Sequence, residues 1–472
     1  MTVLRHPNNQ GVTLTQWRKT ASGGETSLSG TDDFGAGLVY TAGAEQVFVN
    51  GVLIERGVDY TASTGTTVTG LTALVAGDIV TVSSPSAFNV ANAIPKATVA
   101  AKGDLIVANG AASVTNLGVG ADGTTLVANS SAGAGVSWTT PITLANPIIN
   151  GGMDVWQRGS SISLAASTAY TSGWTADRWQ AATGTGQATT VARYATSDST
   201  NLPNIQYCMR FQRNSGQTGT ALIGFVQNIE TANSIPLAGK TVTLSFYARK
   251  GADFSAASNT LGTYLYFGTG TDQNIWSGFT SQSSSVLNSN LTGTWQRYVL
   301  TTTVSAANTQ LAIGFFYTPT GTAATNDYFE VTGVQIDLGT YTATTAPAFR
   351  RSGGTLQGEL SACERYYERV APGVTYGYFG RAQVYSSTGI NAFIEFKTTK
   401  RVIPTAIDAS GSFFMNNGAS QANLTGSFTL DAGSTQKVGS VLNTVSSLTA
   451  GTQWSLGANN SAGAYIGFSA EL

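Results

Sequence analysis

Aromatic side chains beside polar ones are the residues of this sequence best suited to recognition chemistry. Tyr376, Tyr378, Phe379 and Arg381 lie close together, and Trp276 lies in an Asn-Ile-Trp-Ser-Gly segment. An aromatic ring offers an apolar face to the C–H groups of a sugar, while Arg and amide side chains bond its hydroxyls. We therefore take these five residues as candidate ligand contacts. The alternative is that each ring belongs to a hydrophobic core.

Carboxylates form a second candidate group, because glycoside hydrolysis needs two of them about 5 to 10 Å apart. The available groups are Asp154, Asp177, Asp327, Glu330 and Asp337. The plainer interpretation is that they cap turns, pair with Arg158 or Arg178, or hold a structural calcium ion through oxygen ligands. We adopt that interpretation and expect no catalytic residue, no cofactor and no enzymatic activity, with structural calcium left as an alternative.

Other site chemistries have little support. His6 is the single histidine, which argues against Ser/His/Asp and Cys/His catalysis and against histidine-rich metal sites. The motif Gly118-x-Gly120-x-x-Gly123 fits a dinucleotide fingerprint, but a strand-like segment follows where that fold needs a helix. We interpret its glycines as turn residues. Cys208 and Cys363 lie in apolar contexts and are expected to be buried free thiols.

The composition, with 55 glycines and 11 prolines, is typical of short β-strands joined by tight turns, and its charges are few and balanced. Charged residues make up 10% of the 472 residues, and 24 basic residues face 25 acidic ones. This balance argues against nucleic acid binding, and the apolar runs are too short for membrane insertion. The first residues lack the apolar core of a secretory signal, so we expect synthesis in a cytoplasm.

The elements that must position the candidates are short strands. Asn50-Gly51 between two apolar runs predicts a β-hairpin with positive φ at both turn residues. From residue 92 to 140 the strands are four residues long and poor in large side chains, so they bury too little area to be stable alone. We expect other copies of the chain to complete that core.

Alternating patterns predict strands throughout the second half of the chain, in Thr241–Tyr247 for example and again near the end, at Tyr465–Leu472. One convincing helical pattern lies between Glu359 and Val370. Its predicted apolar face contains Leu360, Cys363, Tyr367 and Val370.

Four segments, 146–159, 175–179, 331–339 and 359–368, resemble the carbohydrate-binding-module-like β-sandwich of bacteriophage tail fibre proteins. The resemblance implies a mainly β, multi-domain fibre: a small N-terminal β module, a β-rich intertwined shaft, a jelly-roll sandwich and a C-terminal β tip domain joined by one short helix. The expected parts are an arm (1–36), β module (37–88), shaft (89–145), sandwich (146–352), helical connector (353–373) and tip (374–472).

The resemblance also implies a virion tail appendage made in the bacterial cytoplasm. Its expected partners are two further copies in a homotrimer, other tail or baseplate proteins at the N-terminal region, and a host cell-surface glycan or receptor at the distal domains. Two alternatives stay open. One is a structural fibre of the head, neck or baseplate that links virion proteins, and the other is a glycan-cleaving tailspike.

Overall fold

The computed structural model describes residues 13–86, 94–122, 124–139, 145–445 and 448–472. The chain forms two compact units, Met1–Pro141 and Ile142–Leu472. Strands hold 43% of the residues and helices 6%, which confirms the expected mainly β, multi-domain fold. Among the described residues, no helix is long and apolar enough to cross a membrane.

The first unit begins with a small β module. The Asn50-Gly51 hairpin is confirmed, with φ of 49° and 84° at the two turn residues. It belongs to a four-stranded antiparallel sheet in the order β1-β6-β3-β4, and β2 pairs with β5. The strands of the module are β1 Thr13–Thr20, β2 Ser27–Leu28, β3 Gln46–Val49, β4 Val52–Leu53, β5 Val68–Thr69 and β6 Ile79–Ser86.

The expected arm over residues 1–36 is wrong for its described part. Strand β1 pairs with β6 along its whole length, and Trp17, Ala21 and Leu28 lie in the module's core. The indole Nε1 of Trp17 donates to the carbonyl of Gly30 at 3.2 Å. Within residues 14–20 only Trp17 is buried, so the local sequence shows no alternating apolar pattern. Residues 1–12 lie outside the described part.

Two isolated hairpins follow, after a 3-10 turn at Lys96–Thr98. Strand β7 (Leu105–Gly110) pairs with β8 (Ser113–Leu117), and β9 (Thr125–Ala128) pairs with β10 (Val136–Thr139). No residue is buried within 94–122 or 124–139. These strands therefore have no core of their own in the described single chain. Strand β9 follows Gly118 and Gly120, as the turn interpretation requires, while Gly123 lies outside the described residues.

The second unit starts with a β-sandwich of two six-stranded antiparallel sheets. The first sheet has the order β11 Ser161–Leu164, β14 Thr189–Ala195, β15 Tyr207–Arg213, β22 Tyr328–Leu338, β17 Thr241–Lys250 and β20 Gln296–Thr303. The second has the order β12 Thr171–Trp174, β13 Gln180–Thr183, β16 Ile223–Ile229, β21 Gln310–Tyr317, β18 Thr260–Gly268 and β19 Ser283–Asn290. The chain switches repeatedly between the sheets, as in a jelly roll.

Aromatic rings fill the space between the two sheets. Phe225 stacks on Phe329 with ring centroids 5.7 Å apart, and Trp179 meets Phe225 edge-on at 5.5 Å. All three side chains are fully buried. Such pairs add stability beyond the area that they bury, so this domain has an ample core within one chain.

The predicted helix is shorter than its sequence pattern. Helix α2 runs over Leu356–Glu364, capped by the Thr355 hydroxyl, which accepts from the Gly358 amide at 3.1 Å. Tyr367 and Val370 are not on it; they begin and end β23 (Tyr367–Val370), which pairs with β32 (Tyr465–Ser469). Pairing with a distant strand therefore overrides the local helical spacing. The other helical segments are α1 Thr231–Ser234 and 3-10 turns at Ile235–Leu237, Ala257–Asn259 and Ile275–Ser277.

The C-terminal domain contains a seven-stranded sheet, in the order β28-β27-β31-β24-β25-β30-β29, and a three-stranded sheet, in the order β23-β32-β26. Met415, Leu456 and Phe468 are among its fully buried core residues. The remaining strands are β24 Tyr378–Ser386, β25 Gly389–Glu395, β26 Ala406–Ser410, β27 Phe413–Asn416, β28 Gln421–Asn423, β29 Thr429–Leu430, β30 Val438–Thr444, β31 Gln453–Ala458 and β32 Tyr465–Ser469.

The sandwich and the C-terminal domain are tied together by residues 470–472. Glu471 forms ion pairs with Arg158 and Arg178 of the sandwich. Arg401 donates to the carbonyls of Ala470 and Glu471, both at 3.0 Å. Residues 470–472, which follow the last strand of the C-terminal domain, therefore hold that domain against the sandwich.

Candidate functional site

Tyr376 and Tyr378 form an exposed aromatic surface on the seven-stranded sheet. Their side chains are 52% and 56% exposed. Both rings rest against Phe414, with centroids 6.0 Å and 5.9 Å away. Tyr376 has a φ of 59°, a strained value for a residue other than glycine, and its amide donates to the Ala458 carbonyl at 2.9 Å. We call Tyr376, Tyr378 and Phe414 the tyrosine platform.

A glycine makes room for this platform. In the sheet register, Gly457 lies between Tyr378 and Phe414. A Cβ atom at Gly457 would come within 2.4 Å of the Phe414 ring. The missing side chain lets that ring lie flat over β31 and reach Tyr378.

A row of polar side chains runs beside the platform. Arg381, Ser455, Asn416 and Gln421 are neighbours across four adjacent strands, β24, β31, β27 and β28. On β27 and β31 the row is offset from the platform by two positions along the strand, or about 7 Å. Arg381 and Gln421 are exposed. A ligand on the rings can therefore reach guanidinium, hydroxyl and amide groups at once.

Phe379 is not part of this surface, and its assignment as a ligand contact is wrong. It is buried in the domain core, with its ring 5.5 Å from that of Phe413. A register shift in β24 between Tyr378 and Gly380 puts Tyr378 and Arg381 on the outer face although they are three residues apart. Phe379 then has to point inward.

Trp276 lies on the sandwich, not with the platform. It is half-buried in the 3-10 turn that follows β18, between Tyr170 at 5.1 Å and Phe316 at 5.7 Å. Its indole Nε1 is buried and has no hydrogen-bond partner among the described residues. Tyr264 and Tyr266 stack on each other nearby at 5.4 Å, and burial raises the pKa of Tyr266 to about 12. The sequence candidates therefore divide between two aromatic surfaces.

The candidate carboxylates are engaged by cationic or amide side chains. Arg213 pairs with Asp327 at 3.3 Å, and Arg210 pairs with Glu330 at 2.6 Å. The remaining pairs are Arg249 with Glu330, Arg350 with Asp337 and Arg351 with Asp154. Among the described residues, no group of three or more His, Cys, Asp or Glu side chains is placed to hold a metal ion.

Asp177 departs from the expected pairing with an arginine. It accepts from the amide and the side chain of Gln157, and burial raises the pKa of its carboxyl to about 6. Arg158 and Arg178 form their ion pairs with Glu471 instead. Of the alternatives given for these carboxylates, Asp177 follows the capping one, and Asp154 pairs with Arg351.

The cysteine prediction is confirmed: Cys208 and Cys363 are free and buried. Burial raises the pKa of both thiols. Cys363 packs with Tyr366, Ile149 and Val155, so helix α2 is held against the sandwich.

Sequence reasoning missed Phe414 and the polar residues Asn416, Gln421 and Ser455. A signal was present, because Phe413 and Phe414 are adjacent on a strand and cannot both point into the core. The row itself depends on strand register, which local patterns do not give.

No protein-family model matches the chain, and no curated protein matches it. Solved structures give low-scoring similarities. The tailspike protein 4 enzymatically active domain of bacteriophage CBA120 is 16% identical over 41% of this chain and 21% of that chain, with a TM-score of 0.26. A CBM4 structure is 17% identical over 40% of this chain and 98% of its own, with a TM-score of 0.23.

A putative sugar binding protein from Bacteroides thetaiotaomicron is 11% identical over 41% of this chain and all of its own length, with a TM-score of 0.25. This chain thus matches about a fifth of the length of the tailspike domain and the whole of the sugar binding protein. The similar structures are carbohydrate-binding modules and a phage tailspike domain. Scores this low assign no functional residue in this chain.

Proposed function

We propose that this protein is a non-enzymatic adhesin that binds a surface glycan through the tyrosine platform and the polar row beside it. The observation that carries the proposal is the pair of exposed rings, Tyr376 and Tyr378, supported on Phe414 and flanked by Arg381. Aromatic rings stack on the apolar faces of sugars, and the neighbouring side chains bond hydroxyl groups.

The chemistry of the surface favours a glycan over other ligands. The row supplies one guanidinium with amide and hydroxyl groups, so its charge density is low. The whole chain balances 24 basic against 25 acidic residues, which gives a polyanion little attraction. An uncharged or weakly charged polyhydroxyl chain fits this combination of rings and hydrogen-bonding groups.

We further propose that the protein acts as a homotrimeric phage tail fibre on the virion, attached to tail or baseplate proteins by its N-terminal region. Residues 94–122 and 124–139 support this, because they contain no buried residue while Ile106, Val114 and Val119 are exposed. In β7, Leu105 and Ile106 are consecutive and point to opposite faces of the ribbon. A ribbon that is apolar on both faces needs a neighbour on each, as a ring of three or more copies provides.

Adhesion of this kind gains strength from repetition. Weak sites on three copies can raise avidity by roughly 10²-fold or more without a new contact. The pairing of the buried carboxylates Asp327 and Glu330 with arginines is in keeping with a protein that performs no hydrolysis. Binding alone is then the function.

The sandwich offers a second candidate surface for the same function. Tyr170, Trp276 and Phe316 form a continuous line of rings, and in the described part of the chain the buried Nε1 of Trp276 has no partner. Trp276 is half-buried and Phe316 is buried, whereas Tyr376 and Tyr378 are both more than half exposed. We rank it second for that reason.

The test is binding of the full chain to an array of bacterial surface glycans, compared with a Tyr378→Ala variant. The matched control is Tyr385→Ala, an equally exposed tyrosine on the same strand, roughly 20 Å away. We expect Tyr378→Ala to weaken binding about tenfold or more and Tyr385→Ala to leave it unchanged. Absence of glycan binding together with capture of a purified virion component would support a linking fibre and overturn the adhesin. Equal binding by Tyr378→Ala would move the site to the Trp276 surface.

A further inference from the structure

A cavity of about 350 Å³ opens where the sandwich meets the C-terminal domain. The sandwich contributes Arg158, Ser161 and Trp174 to its wall, and the C-terminal domain contributes Asp408 and Ser469. Tyr367, on the strand that joins the two domains, lies in the same wall. Neither domain alone forms the site.

The guanidinium of Arg158 is held in a fixed position. It lies 3.5 Å from the centroid of the Tyr367 ring and 5.3 Å from that of Trp174. One of its nitrogens is 3.3 Å from Glu471 Oε1. An arginine has five N–H donors, so this single contact leaves donors for a ligand.

Asp408 is oriented in a similar way. The Tyr367 hydroxyl lies 3.1 Å and 3.2 Å from the two oxygens of Asp408 and has one proton to donate. Burial raises the pKa of Tyr367, which keeps that proton in place. Tyr465 also hydrogen-bonds to Asp408. A carboxylate has about four acceptor positions, so Asp408, which lines the cavity, keeps acceptor capacity for a ligand.

We propose that this cavity binds one neutral hexose residue, with the Trp174 ring against its apolar face and Asp408 and Arg158 on its hydroxyls. The volume falls at the lower end of the range for small-ligand sites. A carboxylate and a guanidinium in one wall offer an anionic or a cationic ligand no net charge to pair with, because attraction to one group is offset by repulsion from the other. A polyol can accept from Arg158 and donate to Asp408.

A second cavity shows where further sugar units would lie. It measures about 690 Å³ and shares Ile407 and Asp408 with the first. Its wall is mostly polar and includes Asn423, Thr425 and Asn459. A chain of sugars that leaves the hexose site past Asp408 would enter this space. The hexose site itself contains no residue of the seven-stranded sheet that carries the tyrosine platform, so the two sites are separate.

The experiment is saturation-transfer NMR on the full chain with the methyl glycosides of glucose, galactose and mannose, and with their disaccharides. Sialic acid and glucosamine serve as charged comparators. We expect at least one neutral glycoside to bind, and Trp174→Ala and Asp408→Asn each to weaken it about tenfold or more. Asn459→Ala should weaken the disaccharide and leave the monosaccharide unchanged.

The platform variant Tyr378→Ala separates the two proposals, because it should leave the cavity's ligand bound as before. A thermal melt reports whether each variant is folded. If Trp174→Ala does not fold, Asp408→Asn still tests the site, because this substitution is nearly isosteric. The cavity proposal is overturned if no panel sugar binds at millimolar concentration, if a charged comparator binds better than every neutral sugar, or if only Tyr378→Ala reduces binding. The last result would leave adhesion by the platform intact.

Discussion

Arg178 of the sandwich and Glu471, 293 residues later, form an ion pair that both domains bury. The same guanidinium lies over the Tyr366 ring at 3.6 Å and donates to the carbonyl of Asn228 at 2.6 Å. One side chain thus connects the second sheet of the sandwich, the segment after helix α2 and the segment after the last strand. The position of the platform relative to the sandwich depends on this connection.

Glu471→Ala should destabilise the second unit. Removing the carboxylate leaves the Arg178 guanidinium buried without its charge partner, which costs about 3 to 5 kcal/mol. Chemical denaturation monitored by tryptophan fluorescence measures the change in the free energy of unfolding. Glu395→Ala, at an exposed glutamate of β25, is the control and should change it by less than about 0.5 kcal/mol. Equal effects of the two substitutions would contradict a structural role for the pair.

Gly457→Ala should disrupt the tyrosine platform. The new Cβ would lie 2.4 Å from the Phe414 ring, so that ring has to move away from Tyr378. Overpacking of this kind costs about 1 to 3 kcal/mol, and we expect glycan binding to fall with it. Gly463→Ala is the matched control, because a Cβ there meets nothing within 4 Å. Undiminished glycan binding by Gly457→Ala would show that Phe414 does not support the binding surface.

Local sequence patterns predict local structure here and little else. Asn50-Gly51 correctly predicts its hairpin because the turn needs positive φ at two positions, and these two residue types adopt it readily. The spacing of apolar residues predicts that Tyr367 lies on a helix, but in the structure it pairs with Ser469 in a sheet. The strand that supplies these hydrogen bonds is about a hundred residues away in the sequence, so local spacing cannot reveal it. The candidate site follows the same division. Tyr376 and Tyr378 are visible in the sequence, whereas their support on Phe414 depends on strand order.

Asp177 should make stability depend on pH between about 6 and 4. Its folded pKa of about 6 lies above the unfolded value of 3.8, so the folded state binds the proton more tightly. The free energy of unfolding therefore rises as pH falls through this window, and the penalty of the buried charge is fully present above it. Asp177→Asn removes the titrating group. Urea denaturation measures the free energy of unfolding of the natural protein and of this variant. From pH 7 to pH 4 the natural protein should gain stability relative to the variant. A difference that does not change with pH would contradict the raised pKa.

The intact chain should assemble as a trimer, and a chain that starts at Pro147 should be monomeric. The reason lies in residues 94–139, where the described strands expose apolar side chains on both faces and bury none. Light scattering after size exclusion measures both masses.

Replacing Ile106 and Val114 by Asp should weaken the trimer, since charges would then lie in the shared core. Asn109→Asp, at an exposed polar position of the same hairpin, is the control and should leave the trimer unchanged. A stable monomer of the intact chain would exclude a fibre that is trimeric by itself and would require assembly to begin only on the virion.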